Sequence, residues 1–191
     1  MRLRWLLLPL ILGFLASCTN VYRPLQGGIG FLEVPTGADA FQVSYIGDSN
    51  MSVTEARRFA MLRAAELAAL RNVGYFQIVG ERIYLSYGTQ YWPGTSYYVG
   101  GGGRRGYGRA YVYEPGYVEG YTVPDVEMQV RLTADSAMPA IPAGYLLRQA
   151  MVDKIELSPG VAERVGTMPE GAGAVALPAA PVPTTKPAGG A

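Results

Sequence analysis

FQVSYIGDSNMSVTEARRFAMLRAAELAALRNVGYFQIVGERIYL, residues 41–85, decides the fold. Phe41, Val43 and Tyr45 alternate with Gln42 and Ser44, the period of a half-buried strand. Gly47-Asp48-Ser49-Asn50 is a turn. Ser52-Val53-Thr54-Glu55 then reads as a capping box, with Ser52 as N-cap and Glu55 reaching back to its amide. The residues that follow are mostly Ala, Leu, Met, Arg and Glu, all good helix formers. They predict a helix over 53–72, ended by Asn72 and Gly74. Tyr75–Leu85 is a second strand. Its apolar residues Phe76, Ile78, Ile83 and Leu85 fall out of phase, which a bulge near Gly80 explains.

Outward from this core, Val126, Met128, Val130 and Leu132 share one face of a third strand at Asp125–Thr133, and Glu127, Gln129 and Arg131 share the other. Ala143–Val152 reads as a short helix, or Met151–Leu157 as a helix-to-strand transition. The expected class is α+β: a small antiparallel or mixed sheet of three to four strands, with one long helix on one face and a long Tyr/Gly-rich insertion at 86–120. The second sheet face then needs a cover from 143–157, from the tyrosines or from a partner. Residues 18–40, rich in Gly and Pro, read as a flexible tether with a brief extended piece at Gly30–Val34. The domain spans 41–157. Residues 159–191 hold too few bulky side chains to offset their ordering entropy and read as a disordered tail.

Composition narrows the chemistry. The 191 residues fit one domain. There is no histidine and a single cysteine, so an internal disulfide, a Cys/His zinc site and a histidine general base are excluded. No cofactor is implied. The formal charge is +1, and no Lys/Arg run exceeds two residues. The chain therefore has no electrostatic footprint for nucleic acid and no polybasic membrane patch.

Residues 1–4, MRLR, are positive, and residues 5–16 are almost wholly apolar but too short to span a bilayer as a helix. They end in Leu15-Ala16-Ser17-Cys18, which resembles the lipobox of bacterial lipoproteins. The resemblance implies a signal peptide over 1–17, cleavage before Cys18, and acyl chains on that cysteine that hold the membrane. Cleavage would remove Arg2 and Arg4 and take the net charge from +1 to −1. Thr19, where Asp favours inner-membrane retention in enteric-type sorting, suggests the outer membrane, with the protein facing the periplasm.

On the helix, Phe59, Leu62, Leu70 and Val73 form a stripe, with Glu66 near its centre and Arg63 three residues before it. A charge facing a core needs a partner. Three readings stay open: a structural Arg63–Glu66 pair, a rotated helix with the pair exposed, or Glu66 acting with Asp48 or Asp125 in a carboxylate-dependent hydrolase. Between Tyr84 and Tyr121 lie ten tyrosines and ten glycines. The run Gly100–Arg109 lacks the spacing of a phosphate-binding loop. Either the flanking strands extend into a long hairpin with a glycine tip, or the segment is an adhesive surface for an envelope protein, peptidoglycan or polysaccharide. Its contact residues would be Tyr97, Tyr98, Arg104, Arg105, Tyr107, Arg109, Tyr111 and Tyr113.

Phe-x-Val-x-Tyr-x-Gly-Asp at 41–48, Thr54-Glu55, Leu62-Arg63-Ala64-Ala65-Glu66-Leu67 and Gly74-Tyr75-Phe76-x-Ile78 together resemble a family of small proteobacterial lipoproteins of Caulobacter type. The likeness covers about 45 residues and Cys18. It implies an envelope location, a small α/β fold, and matched residues Gly47, Arg63, Glu66 and Tyr75. That family carries no established activity. The glycine-rich insertion and the Ala/Pro tail depart from its pattern. The resulting expectation is a non-enzymatic envelope lipoprotein, structural or interaction-mediating. The alternatives are an accessory subunit of an envelope assembly or export complex, or the hydrolase.

Overall fold

The computed structural model describes residues 21–99, 110–136, 139–168 and 180–185. Two layers make up the fold. In chain order come β1 (Gly30–Pro35), β2 (Ala40–Ile46), α1 (Val53–Leu70), β3 (Tyr75–Trp92), β4 (Thr95–Val99), β5 (Ala110–Glu114), β6 (Tyr117–Thr133), β7 (Ile141–Pro142), α2 (Ala143–Val152), α3 (Val161–Val165) and β8 (Thr184–Thr185). A six-stranded mixed sheet has the order β1-β2-β6-β3-β7, with β8 beside β3, and β4 and β5 form a separate pair. Every pairing is antiparallel except β3 with β8. The sheet is thus wider than the three to four strands expected. The extra strands come from β1, β7 and β8, each too short or too Pro/Gly-rich to show strand periodicity.

Local signals place the central elements. Ser52 caps α1, and both halves of its capping box with Glu55 are formed. At the other end Asn72 takes a left-handed φ of 57°. The Val73 amide donates to the Ala68 carbonyl and the Asn72 amide to that of Ala69, a Schellman closure. The register of β3 on β6 shifts between Ile78 and Gly80, leaving Val79 as the bulged residue. Before the bulge, Phe76 and Ile78 face the helix; after it, Glu81, Ile83 and Leu85 do. Without the extra residue Arg82 and Tyr84 would point inward.

Phe41, Val43, Tyr45, Phe76, Ile83, Val126, Met128, Val130 and Leu132 form the sheet side of the core. Above them α1 is buried on most of its circumference, beyond a single stripe, because α2 and α3 flank it. Ala56, Ala60, Ala64, Ala65, Ala68 and Ala69 are all buried, and their small side chains let sheet and helices approach together. Gly47 sits where a Cβ would lie 2.8 Å from Pro124 and 2.9 Å from the Met51 sulfur, so the turn has no room for a side chain.

Two boundary expectations are corrected, and one of the two readings of the insertion is favoured. Residues 21–40 are no flexible tether: Tyr22 is buried, Arg23–Leu25 bond to Phe31, and β1 pairs with β2 along its length. The tail does not begin at 159, because Val161 and Val165 of α3 are buried against the core. Over its described residues the insertion at 86–120 follows the extended-hairpin reading and is strand apart from two Pro-Gly pairs. β3 and β6 stay paired out to Trp92 and Tyr117, and β4 with β5 continues the hairpin in the same register. Pro93-Gly94 and Pro115-Gly116 interrupt the ladder opposite each other. A Cβ on Gly94 would lie 2.6 Å from the Gly116 amide, so both glycines are required for the close approach.

The second sheet face needs no cover. Gln42, Ser44, Gln77, Arg82, Glu127, Gln129 and Arg131 line it by register, and an antiparallel sheet tolerates one wet face. Its apolar exceptions include Leu32 and Val34 at the β1 edge, Ile46 at the end of β2 and Val79 at the bulge. The broad apolar patch that an accessory subunit would present there is absent among the described residues.

Candidate functional site

Glu66 lies in the C-terminal half of α1 with no exposure to solvent. Its Oε2 accepts from the Tyr22 hydroxyl at 2.7 Å, from Arg63 Nη1 at 2.6 Å and from the Ser158 hydroxyl at 2.8 Å. Its Oε1 accepts from the Ser158 backbone amide at 2.6 Å. Arg63 in turn makes a bidentate pair with Glu33, at 2.6 and 3.1 Å, and stacks its guanidinium 4.4 Å from the centre of the Phe31 ring. The carboxylate is therefore paired and hydrogen-bonded on both oxygens, the condition for keeping a buried charge. Burial alone would lower the Arg63 pKa. The hydrogen bonds of Glu33 and Glu66 overcome it and hold the guanidinium above its ordinary value. Burial, and then the adjacent Glu66 carboxylate, raise the Tyr22 hydroxyl well above its usual range.

This arrangement is a clamp. It joins the N-terminal strap (Tyr22), β1 (Glu33), α1 and the segment after α2 (Ser158). Of the open readings, the structural pair matches the geometry and the exposed pair does not. The hydrolase reading requires Glu66 to meet Asp48 or Asp125 in a cleft; its oxygens instead face Tyr22, Arg63 and Ser158. Sequence reasoning missed three members, Tyr22, Glu33 and Ser158. All lay outside or at the edge of what read as the domain. The one available signal was the stripe glutamate itself, which demanded more partners than Arg63 alone.

A second buried pair was also missed. Arg57 of α1 bonds Glu81 through Nε at 2.7 Å and Nη2 at 3.0 Å, with both side chains only 8% exposed. The bulge at Val79 turns Glu81 inward, and Arg57 meets it there.

The other distinctive region is the arm, Ser86–Val99 paired with Ala110–Val123. At about 3.3 Å per residue its first strand runs roughly 45 Å. Tyr87, Tyr91, Tyr113, Tyr117 and Val118 are each more than half exposed, and Trp92 nearly so. Trp92 stacks on Tyr117, and its indole Nε1 donates to Glu119 at 3.1 Å. Of the predicted contact residues, Tyr97 and Tyr98 fall in β4 opposite Val112 and Tyr111, and Tyr113 falls in β5 opposite Ser96. Cys18, Arg104, Arg105, Tyr107 and Arg109 lie outside the described residues, as does the signal segment 1–17. Among the described residues no helix is long and apolar enough to cross a membrane, and no cluster of three or more Cys, Asp or Glu could hold a metal ion.

Fold and site together define a two-layer α+β protein with a closed charge clamp in its core and a long aromatic hairpin outside it. Compared with family models, curated proteins and solved structures, the chain matches none of them.

Proposed function

We propose that this is a lipid-anchored protein of the bacterial envelope that works by contact rather than catalysis, with the aromatic arm as its contact element. The arm carries the proposal. A two-stranded hairpin of this length with open aromatic side chains buries little of its own surface, and such residues supply large contact area at low entropy cost. The buried carboxylates, by contrast, are engaged in structure. The Caulobacter-type lipoproteins remain the proposed kinship, and Gly47, Arg63 and Glu66 of their pattern hold structural positions here.

Anchoring at Cys18 has a geometric consequence. Three residues separate it from buried Tyr22, a reach of at most about 14 Å over the four steps. In this reading the domain rides against the lipid surface instead of hanging on a long tether. Outer-membrane attachment facing the periplasm is part of the same proposal.

The test is crosslinking in intact cell envelopes. The full chain is compared with a form lacking 87–122, in which Ser86 and Val123, already register partners, are joined by a two-residue turn. Cys18→Ser serves as the anchor control. We expect adducts with the full chain, their loss on arm deletion, and release of Cys18→Ser from the membrane fraction. Adducts that survive arm deletion move the contact to the domain and overturn the proposal.

A further inference from the structure

At the root of the arm, next to the turn before α1, lies an open groove with a volume of about 820 Å³. That is the size of a small-molecule or oligomer subsite. Its composition is selective. Three aromatic residues border it, Tyr87, Trp92 and Tyr121; by register Trp92 and Tyr121 share one face of the arm with Gln90 and Glu119, and Tyr87 shares the other with Thr89 and Thr122. Ser49, Asn50, Thr89, Gln90 and Thr122 surround them with hydroxyl and amide groups that both donate and accept. Among the described residues it has no Lys or Arg and no Leu, Ile or Val, and Glu119 is the single charge.

Each feature removes a class of ligand. A lipid chain or an apolar peptide would need aliphatic walls. An anionic polymer would need cations and would meet Glu119 instead. The many hydroxyl and amide groups are superfluous for a proline-rich peptide, which docks chiefly on aromatic ridges. What remains is a neutral ring with an apolar C–H face and a rim of hydroxyls.

The backbone is arranged to present such platforms. Gly88 faces Tyr121 across the strands, and a Cβ there would lie 2.4 Å from the ring, so only glycine lets Tyr121 fold across β3. Its outer face stays partly open, with 37% of the residue exposed. Trp92 is held in orientation by its bond to Glu119 and by Tyr117.

We infer that this groove binds a neutral glycan, its sugar rings stacked on Trp92 and Tyr121 and its hydroxyls bonded by Gln90, which shares their face of the arm. The inference rests on the arm being a contact element. The pyranose C–H face suits the negative face of an aromatic ring.

Trp92 makes the test direct. The chain has only two tryptophans, Trp5 and Trp92; the proposed cleavage before Cys18 removes Trp5, so the processed protein in detergent, made with Trp5→Phe to silence any uncleaved chain, reports from the groove alone. Emission would be titrated with two neutral probes, cellotetraose and tetra-N-acetylchitotetraose, and with polygalacturonate and a polyproline peptide for contrast. We expect a saturable change with at least one neutral tetrasaccharide and none with the other two. Tyr121→Ala and Gln90→Ala should each weaken it by about tenfold or more, and Tyr113→Ala, outside the groove, should not. Circular dichroism confirms that each variant is folded. No response to either tetrasaccharide overturns the glycan assignment, as does a preference for the acidic polymer or the peptide, or unchanged binding in both groove variants. Loss of envelope crosslinks on arm deletion, observed together with a silent titration, would sink the glycan and leave the contact role standing.

Discussion

Glu66 is the residue on which most of the molecule's long-range order converges. Its ties to Tyr22 and Ser158 span 44 and 92 residues of sequence. Replacing it with Leu leaves Arg63 buried with half its partners and strips acceptors from Tyr22 and Ser158. We expect Glu66→Leu to lose about 3–5 kcal/mol, the range for removing one member of a buried pair, measured by urea denaturation. A loss under about 1 kcal/mol would show that the clamp is not load-carrying. A second residue-scale prediction concerns alkaline pH. Burial raises Tyr22 well above its ordinary value, and burial assisted by Asp48 pushes Tyr45 up to about 12. The unfolded chain ionises both near pH 10. Their contribution is therefore whole below about pH 10 and is lost as pH rises through 12 and beyond. The urea midpoint should fall across that window, and a flat profile would contradict the assignment. The sequence marked Glu66 and Arg63 through helix periodicity. It could not mark Tyr22 or Ser158, because nothing within a few residues of either one signals a buried carboxylate.

At the scale of elements, the strap at 21–29 and β1 are the clearest departure from the sequence reading. Gly and Pro there signalled a tether, whereas they serve sharp local geometry. Gly30 has φ of 127°, and a Cβ on it would lie 2.6 Å from the Arg23 carbonyl. Gly30→Ala should cost about 1–3 kcal/mol from backbone strain, with more from the clash. Limited proteolysis should then cut near residues 21–35 while leaving α1 protected. A variant as resistant as the original chain would mean that the strap does not depend on this glycine. Helix α1 was the most legible element. Its cap and its Asn72 terminus each act over a span of three to five residues, and the structure differs from 53–72 only in the last turn. The bulge was legible for a similar reason, since a slip in alternation is written in consecutive residues.

At the scale of the whole molecule, α3 carries the core past residue 159, and β8 pairs with β3 beyond it. Ending the chain after Ser158 removes buried Val161 and Val165 along with the Arg164 side chain, which donates to the carbonyls of Ala69 and Leu70. Ending it after Met168 keeps them. Each buried valine is worth roughly 1.5–3 kcal/mol, so the shorter form should melt well below the longer one in calorimetry. Equal melting temperatures would return α3 to the tail. The arm deletion tests the opposite boundary. The core should keep its melting transition without 87–122, because those residues contribute nothing to the core cluster.

By itself the sequence determined the strand–helix–strand unit at 41–85, the strand at 125–133, the bulge and the caps of the long helix, and it offered the helix at 143–152 as one of two readings. These follow from interactions between near neighbours, which chain connectivity makes unavoidable. Only the tertiary structure decided the strand order β1-β2-β6-β3-β7, the recruitment of Tyr22, Glu33 and Ser158 to Glu66, and the folding of tyrosines and glycines into a paired arm. Those outcomes depend on closing long loops. A residue that is ordinary in its local sequence acquires its role from whatever the closed loop sets beside it.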